Sequence, residues 1–573
     1  MSLSHKQKKQ LKSLTPKYSL SEVSDKLNLD KDEVKTYLQK KWSKEKYTKY
    51  ISSSNNNSNL KSTSNFGNFL WEERLVLLFL TVLIFVIYAN VLSAEFVSDD
   101  ILGLVNNPDV GKISQIGSSP HILGRQVYNF LFINLFGLTS SVFRVGNILF
   151  HIGSSFLLYL IVKLLSSKKA GIIASIIFAV HPVAIESVTW ISGGVYPQYT
   201  FFFLLSFFVY LLSKNKPKYF KYSLLAFLVS LLSSEKAIVL PLVFVLYEFL
   251  FGNIRQNWQK VGSFVGFAVV WVVFVFGFAG ALRQRTTDLT TFHYGEGGFY
   301  NPLIQIPAAI STYLELTLWP ADLTLYHSEL AFGQIEYVVR IFVTLLIFVA
   351  YLYSYFKNKV IFFFLSITFV SLLPSLTPLK IAWVVAERYF YLGLGGLVAA
   401  ISILFVNLFK KLDSNILYFV LAIVAVLLSV RTVDRNMDWQ TADKLWIATA
   451  KTSPSDPKTH NNLGDVYSRE GDYKMAESEF ELATKLNPNY ADAYHNLGLT
   501  QYKMGEFEKA ISNFQKALEI RPNLWQSHAQ LAQIYYEQEF FSAAFEHVNK
   551  ALEIDPKNQN LLQARELLQI NIE

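Results

Sequence analysis

Long apolar runs separated by short polar connections fill the chain from residue 75 to residue 431. Eleven of them, 75–92, 142–165, 170–188, 197–213, 220–234, 237–251, 262–281, 337–356, 359–378, 389–409 and 415–431, lie near the roughly 17–25 residues that a helix needs to cross a bilayer. Hydrocarbon satisfies no backbone polar group, so the runs predict an all-α, polytopic bundle of about eleven spans. The stretch 220–251 is interrupted by Ser233-Ser234-Glu235-Lys236. Asn301–Pro320 is apolar but holds Pro307 and Glu315, which predicts an interfacial or re-entrant helix; residues 112–136 are similarly amphipathic.

Past residue 433 the period lengthens. Pro454, Pro488, Pro522 and Pro556 recur every 34 residues, in phase with Leu463/Leu497/Leu531, Gly464/Gly498/Ala532 and Ala476/Ala510/Ala544. Small residues where two helices cross, with a proline closing each unit, are the tetratricopeptide pattern. They predict a solenoid of three helix pairs and a cap over 455–573, joined to the bundle (70–433) by a connecting helix at 434–454. At the other end, residues 1–51 read as short basic helices with Ser19, Ser21 and Asp30 as candidate N-caps. Residues 52–69 are a Ser/Asn-rich linker.

The net charge of +8 is arranged by position. Lys163, Lys168 and Lys169, then Lys214, Lys216, Lys218 and Lys221, then Arg255 and Lys260, Lys357 and Lys359, and Lys410 and Lys411 fall on every second connection. Asp99, Asp100, Asp109, Glu186, Asp288, Glu296 and Glu387 fall on the others. The positive-inside rule makes the basic connections and the N-terminus cytoplasmic, with the repeats outside a cell membrane. The first 69 residues carry no apolar core, so the first span is expected to be an uncleaved anchor. Nucleic acid is not an expected partner. Zero cysteines exclude disulfides and thiolate chemistry.

Asp99 and Asp100 follow the first run closely and belong at the membrane surface, since carboxylates are costly in hydrocarbon. Three readings stand for the pair: a general base, a holder of a divalent cation, or solvated loop charges. Arg144, Asn147, His151 and Ser154 form one polar stripe on the second run, either a functional group or glue between helices. His181 and Glu186 lie at the end of the third run, and Glu235-Lys236 between the fifth and sixth, where a mutual ion pair is the plain account. Glu387-Arg388-Tyr389 opens the tenth run, and an arginine opposed to the helix dipole needs a partner, either Glu387 or a phosphate. Arg125 is a second candidate phosphate ligand. Acids, arginines and a histidine on one face suit a reaction on a membrane-dissolved, phosphate-bearing lipid.

Seven motifs occur in order: Phe96-Val-Ser-Asp-Asp100, Asn106-Asn-Pro-Asp-Val110, Asn147-Ile-Leu-Phe-His151, Phe178-Ala-Val-His-Pro182, Ser234-Glu-Lys236, Val384-Val-Ala-Glu-Arg-Tyr-Phe-Tyr-Leu392 and Arg435-Asn-Met-Asp-Trp439. With the repeats behind them, they resemble the transmembrane and tetratricopeptide-repeat (TMTC) O-mannosyltransferases and their prokaryotic relatives, within the lipid-donor glycosyltransferases of the C superfamily. The resemblance implies Asp99 or Asp100 as base, a polyprenyl-phosphate-linked sugar donor and inverting transfer to a hydroxyl. Two positions depart from the family pattern: Arg144 stands where a histidine is common, and Gly194-Val-Tyr-Pro197 where an arginine and an acid follow.

The expected function is therefore transfer of a hexose, mannose first, from a polyprenyl-phosphate carrier to Ser/Thr of proteins. Arg125, Lys236 or Arg388 would steady the departing phosphate, and Asn462, Asn496 and Gln530, in phase with the repeat, would either grip the acceptor protein or pack between neighbouring helices. The alternative is a non-catalytic membrane-anchored repeat scaffold.

Overall fold

The computed structural model describes residues 71–278, 302–328, 330, 332–376, 384–411 and 413–572, with 7, 10–11, 14–15, 20–27, 29–43 and 47 of the N-terminal segment. The linker 52–69, Ser19, Asp288 and Glu296 lie outside the described residues. Among the described residues the regular elements are all helical. Seven helices are long and apolar enough to cross a membrane: Arg74–Val91, Ser140–Leu165, Ser192–Ser213, Ile254–Val275, Gln334–Lys357, Glu387–Leu408 and Ser414–Asp438. Lys168–Val180 with Pro182–Val188, bent by 56°, makes an eighth if the pair counts as one span.

The other three of the eleven expected runs form shorter helices, so among the described residues seven helices, or eight with the bent pair, reach spanning length. Phe220–Ser233 and Lys359–Leu372 have 14 residues each and Pro241–Leu250 has 10. At about 1.5 Å per residue, 14 residues rise roughly 21 Å against a hydrocarbon core of about 30 Å. The 220–251 run splits because Ser234 is extended (φ −157°, ψ 137°) and Pro241 brings no N–H to continue a helix. Pro302–Leu318, with Pro307 inside it, packs on Gln334–Lys357 and is not among the spanning helices.

The bundle has two chemically different ends. At one, Glu73 meets Lys163 at 2.6 Å and Lys168 at 3.1 Å, and Lys169 Nζ donates to Ser414 Oγ at 2.6 Å. The basic connection 163–169 thus sits where the first and last spanning helices begin. At the other end, Asn90 Nδ2 donates to Val433 O at 3.0 Å and Glu95 N to Gln440 O at 2.9 Å. The acidic pair and the start of the repeats therefore share one end. Between the ends the core is aromatic, with Phe244 and Phe264 stacked at 3.9 Å against Phe203, Phe207 and Phe227.

Residues 434–454 hold the last turn of Ser414–Asp438 and a separate helix, Ala442–Thr452. Three helix pairs follow: Pro457–Glu470 with Tyr473–Leu486, Ala491–Lys503 with Phe507–Ile520, and Trp525–Glu537 with Phe541–Ile554. Gln559–Ile572 packs on the last of them. The small residue at each crossing has a direct cause: a Cβ on Gly464 would lie 2.8 Å from the Phe480 ring. Near the N-terminus, Leu20–Leu27 and Lys31–Lys41 pair through Leu20, Val23, Val34 and Leu38, and Asp30 caps the second by accepting from Asp32 N at 2.7 Å.

Candidate active site

The connection after the first spanning helix is pinned from both sides. Ser140 Oγ donates to Ala94 O at 2.7 Å, and the Arg144 guanidinium donates to the carbonyls of Ala94, Glu95 and, through Nε at 3.1 Å, Thr189. Ser98 then turns the chain with φ +56°, a left-handed conformation that costs a non-glycine residue about 1–2 kcal/mol. This bend sends the two aspartates into different environments. Asp100 is fully buried; its Oδ1 accepts from Ser192 N at 2.8 Å and Ser192 Oγ at 2.5 Å, and its Oδ2 from Val97 N at 3.3 Å. Burial raises its carboxyl above the usual range, while the Ser192 and Val97 donors and the Arg144 charge pull it back. Asp99 is exposed and makes no hydrogen bond with any described residue. The chain continues as a π-helical turn, Ile101–Val105, a form common beside functional sites.

The second part of the cluster is built where Glu387–Leu408 begins. Arg388 N donates to Glu186 Oε2 at 2.7 Å and its Nη1 pairs with Glu186 Oε1. The partner is Glu186 and not the adjacent Glu387, because neighbouring side chains on a helical turn point in different directions. Glu387 instead accepts from Thr324 N at 2.7 Å and stands 3.5 Å from His327 Nε2. Lys236 Nζ donates to Ser375 Oγ at 2.9 Å and sits 3.3 Å over the Tyr389 ring, rather than serving only a mutual pair with Glu235. Arg388 lies 5.0 Å from that same ring and 5.5 Å from Trp190. Two cations thus lie against one aromatic ring.

Trp190 stands two residues before Ser192, which joins this half to Asp100. Tyr326 joins it to Asp99. Its hydroxyl is pushed well above the usual range by burial and by the negative charges of Asp99 and Asp456, with Arg388 opposing. Lys458, at the start of the first repeat, is pushed down by burial against the fields of Asp456, Asp99 and Asp492. The first repeat therefore lies within electrostatic reach of Asp99.

Other expected residues are used inside the fold. Arg125 is buried; its donors go to Asn147 Oδ1 at 3.3 Å and Ile191 O at 2.7 Å, with Tyr128 under the guanidinium at 4.5 Å. It holds two loops together and does not present itself to a phosphate. The polar stripe does the same: Asn147 donates to Val188 O and Trp190 O, and His151 Nδ1 meets Tyr391 Oη at 2.7 Å. His181 bonds Thr317 O at 3.0 Å, docking Pro302–Leu318. Asn462 donates to Lys458 O on its own helix at 2.8 Å, Asn496 reaches Asn461 of the preceding repeat at 3.0 Å, and Gln530 is half-buried. Of the three amides, Asn496 is thus engaged by the preceding repeat and Asn462 by its own helix. Among the described residues no group of three or more His, Asp or Glu side chains forms a cation cluster.

Sequence reasoning missed Ser192, Thr324, Tyr326, His327, Ser375 and Lys458. Only Tyr326-His327 left a signal, two polar rings directly after the alternating Leu323 and Leu325 that bury themselves.

Residues 129–276 match the family of dolichyl-phosphate-mannose-protein mannosyltransferases, and 455–523 and 495–559 match tetratricopeptide repeats. A mannosyltransferase-type helical region followed by tetratricopeptide repeats is the TMTC-like architecture that the ordered motifs resemble. In particular, the chain is similar to the protein O-mannosyl-transferase F38B6.6 of Caenorhabditis elegans, at 29% identity over 426 residues, 69% of this chain and 60% of that one. It is also similar to the protein O-mannosyl-transferase TMTC3 of Homo sapiens, at 23% identity over 376 residues, 58% of this chain and 41% of that one. The chain thus spans less than two thirds of the length of either relative. The crystal structure of MamA shares 26% identity over 21% of this chain and 70% of that one, at a TM-score of 0.20, too low to bear on the fold.

Proposed function

We propose that the protein is a multi-pass membrane glycosyltransferase that moves a hexose, mannose by its relatives, from a polyprenyl-phosphate carrier to a Ser or Thr hydroxyl of proteins outside the cytoplasm. The observation that carries this reading is the division of labour between the aspartates. Asp100 spends both carboxylate oxygens on the loop, whereas Asp99 keeps both free and shares the surroundings of Tyr326 with Arg388. A general base needs an open lone pair.

Asp99 takes the hydroxyl proton as the acceptor oxygen attacks the anomeric carbon. The bond from that carbon to the phosphate oxygen breaks with inversion, and the electron pair leaves on the lipid phosphate. Lys236 and Arg388, both close to the Tyr389 ring, balance the charge that develops there. Glu186 holds Arg388 in place; it is a positioning residue.

The position of the basic connection 163–169 at the end opposite Asp99 supports a cytoplasmic N-terminus and repeats on the far side of the membrane. The test is a purified assay with polyprenyl-phosphate-linked mannose and an acceptor protein. Asp99→Asn should lose transfer by about 10²–10⁴-fold. Full transfer by that variant would refute the mechanism, and protease access to the repeats from the cytoplasmic side would refute the topology.

A further inference from the structure

A cleft of about 370 Å³ opens between the bundle and the helix that leads into the repeats. Trp319, Asp322, His327, Arg340, Lys451 and Pro454 are among the residues that line it. Arg340 is neutralised: it pairs with Glu315 at 3.2 Å and Glu336 at 3.0 Å, and its guanidinium lies 3.8 Å over Phe332. Asp322 and Lys451 are exposed, carry opposite charges and make no ion pair or hydrogen bond with any described residue.

The cleft is held in shape from behind. Thr324 Oγ1 shares a hydrogen with Ser453 Oγ at 2.7 Å, Ser453 Oγ also bonds Tyr326 O, and Tyr326 and Trp446 lie 6.0 Å apart. These contacts lock the approach to the repeats onto residues 324–327, the segment that bonds Glu387 beside Arg388. The His327 side chain, 8% exposed, lines the cleft, and its Nε2 makes no hydrogen bond, standing 3.5 Å from Glu387 Oε1.

We infer that this cleft seats an extended segment of acceptor polypeptide and passes it from the first repeat toward the reacting aspartate. The inference rests on the proposed transfer to protein hydroxyls. Its chemistry is specific: a lone anion would meet the Asp322 carboxylate as well as Lys451, and a purely apolar segment would strand both exposed charges. A polypeptide offers donors and acceptors together, with Trp319, 75% exposed, as an apolar face at the mouth.

The test uses the full chain in detergent micelles and a fluorescein-labelled Ser/Thr peptide carrying one Lys and one Glu, read by anisotropy. Asp322→Lys and Lys451→Glu change exposed groups, and their unfolding midpoints should match the parent protein. Each should weaken peptide binding about tenfold, the worth of one charge-assisted hydrogen bond. Undiminished binding by both cleft variants would overturn the inference, as would an effect confined to phosphatidylethanolamine vesicles. Cleft-dependent peptide binding without any sugar transfer by the parent protein would count against the glycosyltransferase reading and leave the peptide seat standing.

Discussion

Asp99→Asn and Asp100→Asn, though adjacent and chemically identical, should fail in opposite ways. Asp99 is exposed and unbonded, so its replacement should shift stability by no more than about 0.5 kcal/mol. Its cost should fall on the rate, about 10²–10⁴-fold for loss of a general base. Asp100 is fully buried and accepts three hydrogen bonds. An asparagine there keeps a carbonyl for the two Ser192 donors but turns an NH₂ group toward Val97 N–H. One bond is lost and a buried donor faces a donor, a cost of about 1–3 kcal/mol. Release of the desolvation that raises the Asp100 carboxyl offsets part of it, leaving roughly 1–2 kcal/mol. The assay pairs transfer of labelled mannose from polyprenyl phosphate to a protein with thermal unfolding of the same preparations. Retained transfer by Asp99→Asn, or lost transfer by Asp100→Asn at an unchanged midpoint, would refute the assignment of roles.

Three further outcomes follow from the same contacts. Glu186→Gln removes the partner of a buried arginine and should destabilise the fold by about 3–5 kcal/mol, more than Glu186 would cost as a surface charge; an unfolding midpoint like the parent's would refute it. Gly193→Ala would place a Cβ 2.3 Å from the backbone oxygen of Glu186, which cannot swing aside, so expression of folded protein should drop; wild-type yield and melting would count against the described turn. Stability should also depend on pH through Asp100. Its folded pKa is raised above the ordinary 3.8, so its contribution is fully present below that value and is lost as pH rises through the raised one. The decline should be flatter in Asp100→Asn, and parallel stability curves for the two proteins would refute it.

The sequence alone determined the elements whose causes are local. A 34-residue period with glycine facing Phe480 can pack only as helix pairs, and residues such as Asp30 cap the helix that immediately follows them. Long apolar runs announced helices for the same reason, since hydropathy is a property of a segment. Helix length is different. Whether 220–251 continues or breaks depended on Ser234 turning extended and on what packed around it, and hydropathy cannot see that. The cluster was legible as a set of residue types but not as a set of partners. Arg125 and Arg388 look alike in sequence, yet one is closed by Asn147 and Ile191 while the other stands between Glu186 and Tyr389. Asp99 and Asp100 are one residue apart, and the left-handed turn at Ser98, held by Arg144 on one side and Ser192 on the other, decides which is buried. Those contacts join residues dozens to hundreds of positions apart, so only the tertiary packing of the helices could bring them together.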